Sequence, residues 1–377
     1  MSKPIRVITI VGARPQFVKA AAVSRAIARF NSSDTTMSHE RADGARLEES
    51  IVHTGQHYDA NMSQVFFDEL NIPVPKHHLG VGSGSHGRQT GLMLEKIEEV
   101  LLGSRPDWVL VYGDTNSTLA GSIAAVKLHI PVAHVEAGLR SFNRRMPEEI
   151  NRVAADSISD MLLCPTETAV MNLLREGVTR GVFNVGDVMY DSVLFNTALA
   201  EKQSRILETL KIEPKSYFLA TLHRAENTDE PGRLESIFAA FARSTMPIIL
   251  PLHPRTQKVM QGRAMRVAPH VRIIDPLPYL DILMLEKNAV GVLTDSGGMQ
   301  KEAYFFGVPC VTMRDETEWV ELVDAGANRL VGADTYRIFD AMAWAQAWKP
   351  AKAAASLYGD GNAGAKIVSL LAKGVRP

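Results

Sequence analysis

The stretch DWVLVYGDTNSTLAG, residues 107–121, runs from an uninterrupted apolar segment through a Gly113–Asp114 turn into a helical pattern. An apolar run without polar alternation fits a strand of a parallel sheet, covered on both faces by helices. Thr115, Asn116 and Ser117 are good helix N-caps, because their side chains accept from the orphan N–H groups of a first turn. Strand, tight turn and helix form a pattern that the chain repeats in both directions from here. The strand candidates are IRVITIVG (5–12), SIVHTG (50–55), DWVLVYGD (107–114), IPVAHVEA (130–137) and MLLCPT (161–166). A second set is YFLATLHR (217–224), PIILPLHP (247–254), VRIIDP (271–276), AVGVLTDSG (289–297) and VPCVTMR (308–314). Segments between them, such as QFVKAAAVSRAIARF and MSQVFFDEL, have the spacing of amphipathic helices.

At 377 residues the chain exceeds one ordinary core, so two domains are expected. The two strand sets meet at about residues 182–216, where VFNVGDVMYDSV leads into a charged helical stretch. Residues 31–49 are polar and aperiodic and read as a loose surface excursion; GVGSGSHGRQT (80–90) reads as a mobile loop. The tail AGAKIVSLLAKG after YGDG (358–361) reads as a helix. In open parallel sheets, ligands bind beyond the carboxyl ends of the strands. Two such domains would turn those ends toward a common cleft, so the strand-end loops carry the functional information.

Bulk composition narrows the function classes. A net charge of −1 with 22% charged residues gives no basic surface for nucleic acid. No window reaches the ~18 consecutive apolar residues of a membrane span, and the opening MSKPIRVITIVGARP reads as a first strand rather than a signal peptide. Two cysteines, Cys164 and Cys310, suit a reducing compartment, so a cytoplasmic protein is expected.

Six strand-end motifs, two of them paired by a terminal histidine, carry charge. In VGARPQFVKA (11–20) a turn at Gly12 opens a helix holding Arg14 and Lys19, which suits phosphate, although both are equally at home on a solvated first helix. In VYGDTNSTLAG (111–121) Asp114 reads as a cap or as a base. LTDSGGMQKEA (293–303) places Ser296 and the bare backbone of Gly297 and Gly298 at a helix start, suited to a diphosphate, with Glu302 one turn on, suited to ribose hydroxyls. TLHRAEN (221–227) and PLHPRT (251–256) each end an apolar strand on a histidine, His223 and His253. VEAGLRSFNRRMPEEINR (135–152) gathers Glu136, Glu148 and Arg152; with Pro147 at N1, Glu148 and Arg152 fall four apart on one helix face. Such a pair is a plain salt bridge or part of a site for a charged substrate. No His, Cys and Asp cluster has metal spacing, and no GxGxxG follows the first strand.

Together GARPQFVK, TGQHYD, GDTNSTLA, HVEAGLRS, MPEEINR, LHRAEN and TDSGGMQKEA resemble, in order and over nearly the whole chain, the non-hydrolysing UDP-N-acetylglucosamine 2-epimerases. The resemblance implies an α/β glycosyltransferase-B-like fold of two Rossmann-like domains facing a cleft. The first would span residues 1–185 with the C-terminal helix 361–377 returning to it, and the second, UDP-binding, 186–360. It implies interconversion of UDP-N-acetylglucosamine and UDP-N-acetylmannosamine by UDP elimination and re-addition, with no cofactor or metal. Asp114, Glu136 and Glu148 match the family's catalytic carboxylates, and Arg152 and His223 its active-site network. Arg14, Lys19, His253, Tyr279, Ser296, Gly297, Gly298 and Glu302 match or lie in segments serving the substrate, and Gln56 and His57 lie where some members hold a second sugar. Dimers are common in the family, so a homodimer is expected. SFNRRMPEE and LHPRT depart from the better-known members, and several motifs look closest to a branch acting on UDP-2,3-diacetamido-2,3-dideoxyglucuronate.

Overall fold

The computed structural model describes residues 3–32, 45–56, 72–230, 232–252, 254–263, 265–349 and 357–374. They belong to two compact units, Met1–Ser192 with Leu357–Pro377, and Val193–Ser356.

In the first unit, β1 (Ile5–Val11), β2 (Leu47–His53), β3 (His77–His78), β4 (Trp108–Tyr112), β5 (Val132–Val135), β6 (Met161–Cys164) and β7 (Val182–Asn184) form one sheet. Its order is β3-β2-β1-β4-β5-β6-β7 and every pairing is parallel. Ile8 pairs with Val109 and Ile10 with Val111, so their side chains share one face. On that face they pack against Met93, Ile97 and Leu101 of helix His86–Ser104 and Ala120, Ala124 and Ala125 of helix Asn116–Lys127. The small side chains allow close approach; a Cβ at Gly121 would sit 2.8 Å from Ile10 Cδ1. The tail helix Ala363–Ala372 belongs to this unit and packs against helix Arg14–Asn31. Asp191, 172 residues upstream, accepts from its first N–H groups, Ala363 at 3.0 Å and Gly364 at 2.8 Å.

The second unit repeats the plan with β8 (Phe218–Thr221), β9 (Ile248–Pro251), β10 (Val271–Ile274), β11 (Gly291–Thr294), β12 (Cys310–Thr312) and β13 (Asn328–Leu330). The order is β10-β9-β8-β11-β12-β13, again parallel throughout. Residues alternate along β8 between two cores: Phe218 and Ala220 join one, Tyr217 and Leu219 the other. That two-sided burial is why these strands read as continuous apolar runs.

Three strands have no counterpart among the sequence candidates: β3, β7 and β13. All are sheet edges of two or three residues. A short edge strand is half-exposed and needs no apolar run, so it leaves no pattern to read. β2 begins at Leu47, inside the stretch expected to be loose, and helix His86–Ser104 begins inside the expected mobile loop, after Ser85. The helix expected from MSQVFFDEL lies outside the described residues. No helix among the described residues is long and apolar enough to cross a membrane.

The strand order reverses between β1 and β4 in the first sheet and between β8 and β11 in the second. Helices leave to opposite faces at such a point, opening a crevice at the carboxyl ends of the two strands. Gly12 and Asp114 follow the first pair; His223 and Ser296 follow the second.

Candidate active site

In the first unit a charged cluster is built at the ends of β1, β4 and β5. After β1, the loop N–H groups of Gly12 and Ala13 donate to Gln16 Oε1 at 2.8 and 3.1 Å, while Gln16 Nε2 donates to Tyr112 O at 2.7 Å. The turn is thus tied to β4 and its two amides are occupied. Arg14, the first helical residue, is exposed. Lys19, one turn further, reaches Glu136 and makes a partly buried ion pair with it.

Glu136 follows β5 with a left-handed backbone, φ 71°. A residue with a Cβ pays steric strain there, on the order of 1 kcal/mol or more, and keeps it only where the surroundings over-determine it. Here Glu136 N donates to Leu163 O at 3.0 Å, and its carboxylate is gripped by Lys19. Its Oε2 lies 3.3 Å from where a Cβ on Gly113 would stand, so glycine, at φ 61°, leaves the carboxylate room.

Asp114 ion-pairs with Arg152, which also donates to Glu149 Oε2 at 3.1 Å. Burial raises the Asp114 carboxyl above its ordinary value; Arg152 opposes that, Glu136 adds to it and Lys19 subtracts. The anticipated i,i+4 pair of Glu148 with Arg152 is not the one formed. Glu149 turns inward instead, because it is needed there. It accepts from Ser141 N (2.9 Å), Ser141 Oγ (2.9 Å) and Phe142 N (3.0 Å), closing the loop ahead of the helix. Glu148 stays exposed on the first turn of helix Pro147–Ile158. Gln56 is buried, and its Oε1 accepts from Ser117 N at 3.0 Å and Ser117 Oγ at 2.7 Å, so it holds the head of helix Asn116–Lys127. His57 lies outside the described residues.

Sequence reasoning missed the support beneath this cluster. His134, wholly buried in β5, donates through Nε2 to Gly113 O at 2.7 Å, and its Nδ1 lies 2.8 Å from Asp156 Oδ1. Asp156 also accepts from Arg140 Nη1 at 2.7 Å, and Arg140 forks onto Glu176. Burial pushes the Asp156 carboxyl up, but His134 and Arg140 outweigh it and hold it below the ordinary value. Asn151 donates to Asp114 O at 2.9 Å. A lone histidine in an apolar strand and an aspartate 22 residues later leave no sequence signal.

In the second unit a separate cluster sits at the ends of β8, β11 and β12. Asp295, fully buried after β11, accepts from the backbone N–H of His223 (3.1 Å) and Arg224 (3.0 Å), and from Asn227 Nδ2 (3.2 Å). His223 Nδ1 lies 3.1 Å from its other oxygen, and the ring remains about half exposed. Burial works to raise Asp295, yet these donors hold it below its ordinary value. Asp295 therefore locks the His223 loop to the start of the next helix. It stands at a strand exit as Asp114 does, and that repetition could have flagged it.

Helix Gly297–Phe305 opens at Ser296, whose side chain does not cap it. Gln300 fixes the opening, donating to Ser296 O at 3.2 Å and accepting from Thr317 Oγ1 at 2.7 Å. Gly298 has no atom within 4 Å of a would-be Cβ. Tyr279 Oη donates to Glu302 Oε1 at 2.7 Å, bringing together two residues 23 apart. Arg314, after β12, pairs with Glu318 at 2.9 Å, and neither was singled out from sequence. His253 lies outside the described residues. Among the described residues no group of three or more His, Cys, Asp or Glu side chains is placed to hold a metal ion.

The family model described as UDP-N-acetylglucosamine 2-epimerase matches residues 39–372. The chain belongs to that family. A UDP-N-acetylglucosamine 2-epimerase homolog of Methanococcus maripaludis is 52% identical over 97% of this chain and 99% of its own. The UDP-2,3-diacetamido-2,3-dideoxy-D-glucuronate 2-epimerase of Pseudomonas aeruginosa is 50% identical over 98% of this chain and 100% of its own. The crystal structure of the Methanocaldococcus jannaschii UDP-GlcNAc 2-epimerase, in complex with UDP-GlcNAc and UDP, matches with a TM-score of 0.86. It shares 44% identity, covering 98% of this chain and 100% of that one. Members of this 2-epimerase family are isomerases of nucleotide sugars, which accounts for charged loops at both switch points in a protein of nearly zero net charge.

Proposed function

We propose that the chain is a non-hydrolysing 2-epimerase that interconverts UDP-N-acetylglucosamine and UDP-N-acetylmannosamine. The observation that carries this reading is the cluster of Lys19–Glu136 and Asp114–Arg152 ion pairs at one switch point. The C2 hydrogen of the sugar is poorly acidic, so direct loss of a proton as a carbanion is costly. Elimination avoids that: a base takes the C2 proton, the C–H electron pair becomes the C1–C2 double bond, and UDP leaves with the C1–O pair. Re-addition of UDP to the 2-acetamidoglucal, with a proton delivered to the opposite face of C2, gives the epimer.

Asp114, Glu136 and Glu148 supply the acid/base carboxylates, with Arg152 setting charge around them, and His223 serves the active-site network. The raised pKa of Asp114 suits a group that takes up and gives back a proton. Arg14, Lys19, Ser296, Gly297 and Gly298 serve the diphosphate, Glu302 the ribose, Tyr279 the base, and His253 the substrate, while Gln56 and His57 belong to a second-sugar region. A cytoplasmic homodimer working in polysaccharide synthesis fits the two free, buried cysteines and the net charge of −1.

Proton NMR of the protein with UDP-N-acetylglucosamine in D2O tests the reading. A UDP-N-acetylmannosamine anomeric signal with deuterium entering at C2 is expected. Free UDP and free sugar, or no change, would refute it. Glu136→Gln and Asp114→Asn are expected to lower kcat by about 10²–10⁴-fold while UDP affinity, measured by calorimetry, is kept. A second reading is the same reaction on UDP-2,3-diacetamido-2,3-dideoxyglucuronate. The 50% identical relative favours it, as do Arg144 and Arg145, exposed on the loop that Glu149 closes. Turnover of that sugar alone would decide for it.

A further inference from the structure

The turn that carries Asp114 is held at three consecutive carbonyls. Tyr112 O accepts from Gln16 Nε2 at 2.7 Å and from Thr118 Oγ1 at 2.6 Å. Gly113 O accepts from His134 Nε2 at 2.7 Å, and Asp114 O from Asn151 Nδ2 at 2.9 Å. These donors stand on helices Arg14–Asn31, Asn116–Lys127 and Pro147–Ile158 and on β5, so separate elements fix one turn. Gln16, Thr118 and Asn151 are neutral. His134 differs, because its other ring nitrogen also faces an acceptor: Nδ1 lies 2.8 Å from Asp156 Oδ1. The second oxygen of Asp156 already accepts from Arg140 Nη1 at 2.7 Å and Gly138 N at 3.1 Å. Those donors and His134 hold the Asp156 carboxyl below its ordinary value against burial, so it is an anion. A neutral imidazole has one N–H and one lone pair. Here each ring nitrogen meets an acceptor, so both carry hydrogen and the ring is an imidazolium.

We propose that His134 is a positioning residue for the epimerisation, a buried imidazolium that holds the Gly113–Asp114 turn and thereby the Asp114 carboxylate in its working orientation. The proposal rests on the reading that Asp114 takes part in proton transfer. Gly113, at φ 61°, permits the turn but does not enforce it, since glycine moves freely between backbone conformations. Rotation there would re-aim the Asp114 side chain, so the turn must be fixed from outside. A hydrogen bond from a charged donor is roughly twice as strong as one between neutral groups, and His134 supplies it to the Gly113 carbonyl. Burying that charge alone would be costly, and Asp156, itself gripped by Arg140, offsets it. His134 is wholly buried, so it acts through the Gly113 carbonyl rather than on the sugar.

Two variants separate the two hydrogen bonds of the ring. His134→Gln sets an amide N–H where Nε2 stands, keeping the donor to Gly113 O and giving up Asp156. His134→Asn sets one where Nδ1 stands, keeping Asp156 and giving up Gly113 O. Both lose the buried ion pair, so both are expected to melt at lower temperature. Activity is expected to split. In H134N, kcat for epimer formation, followed by NMR, falls about 10²-fold while UDP affinity, measured by calorimetry, is kept. In H134Q it stays about tenfold above H134N. Equal kcat in the two variants, or a loss confined to KM, overturns the proposal, because a purely structural role makes activity follow stability. Asp114→Asn, assayed alongside, separates the two layers. If D114N is inactive while H134N is fully active, the positioning role is wrong and the Asp114 reading stands. If D114N is fully active, that reading fails and the proposal falls with it. The wild-type protein supplies a measurement that needs no variant to fold. In spectra of 15N-histidine-labelled protein at neutral pH, the slowest-exchanging ring is expected to carry a proton on both nitrogens. A single ring N–H there refutes the imidazolium.

Discussion

Replacing Arg152 by glutamine removes the guanidinium that Asp114 and Glu149 share. Two opposite unit charges about 4 Å apart attract by about 4 kcal/mol at an effective dielectric constant of about 20, or about 3 pKa units. Asp114 divides that charge with Glu149, and its side chain is 30% exposed, so solvent weakens the attraction further. Arg152 holds the Asp114 pKa down against burial and Glu136, so its loss moves that pKa further up. If Asp114 works as an anion, kcat/KM falls on the acid side as it takes up a proton. That limb is expected to shift to higher pH in R152Q. The assay is the initial rate of epimer formation by NMR across the acid range, with UDP affinity followed in parallel. A limb that stays in place while the rate falls uniformly would refute the assignment, because Asp114 would then not control the titration. A limb moving to lower pH would contradict the charge arrangement itself.

Three further outcomes follow from particular contacts. Asp156→Asn breaks a buried network of His134, Arg140 and Glu176, leaving a cation buried and less well paired, at about 3–5 kcal/mol. Scanning calorimetry should show a transition lowered by roughly 10 °C, and a change under ~2 °C would show the network to be energetically idle. Glu286 is wholly buried, with neither carboxyl oxygen hydrogen-bonded among the described residues; burial and then Glu302 hold its pKa well above the ordinary value. The folded state therefore keeps a proton that the unfolded chain releases, so stability is intact below about pH 4.3 and falls by up to about 1.4 kcal/mol per pH unit above it. Melting temperatures between acid and neutral pH should decline less steeply for E286Q than for wild type, and parallel slopes would exclude Glu286 as the source. Gly113→Ala pushes a methyl toward Glu136 and imposes strain at φ 61°, so a loss of about 1–3 kcal/mol of stability and a sharp fall in kcat are expected. Full activity would show that the turn has slack.

The repeating strand–turn–helix pattern, the parallel sheets and the concentration of function at strand ends are local properties, and the sequence determined them. Burial on both faces demands continuous apolar runs, and a tight exit demands Gly and a capping residue, so the runs at β1, β4, β8 and β11 announce themselves. Edge strands β3, β7 and β13 do not, since two or three half-exposed residues satisfy them. The ordered motifs sufficed for the family, and for Asp114, Glu136, Ser296 and Glu302 as candidates. Only tertiary structure decided which neighbour of a pair turns inward. Helical spacing admits Glu148 and Glu149 alike, but the Ser141 and Phe142 N–H groups of the preceding loop converge on one acceptor, and Glu149 is placed to supply it. Likewise His134 with Asp156 in the first unit, and Asp295 with the His223 loop and Glu318 with Gly297 in the second, depend on segments far apart in sequence meeting in space. Buried charge must find its partner in space, and distance along the chain carries no record of which partner that is.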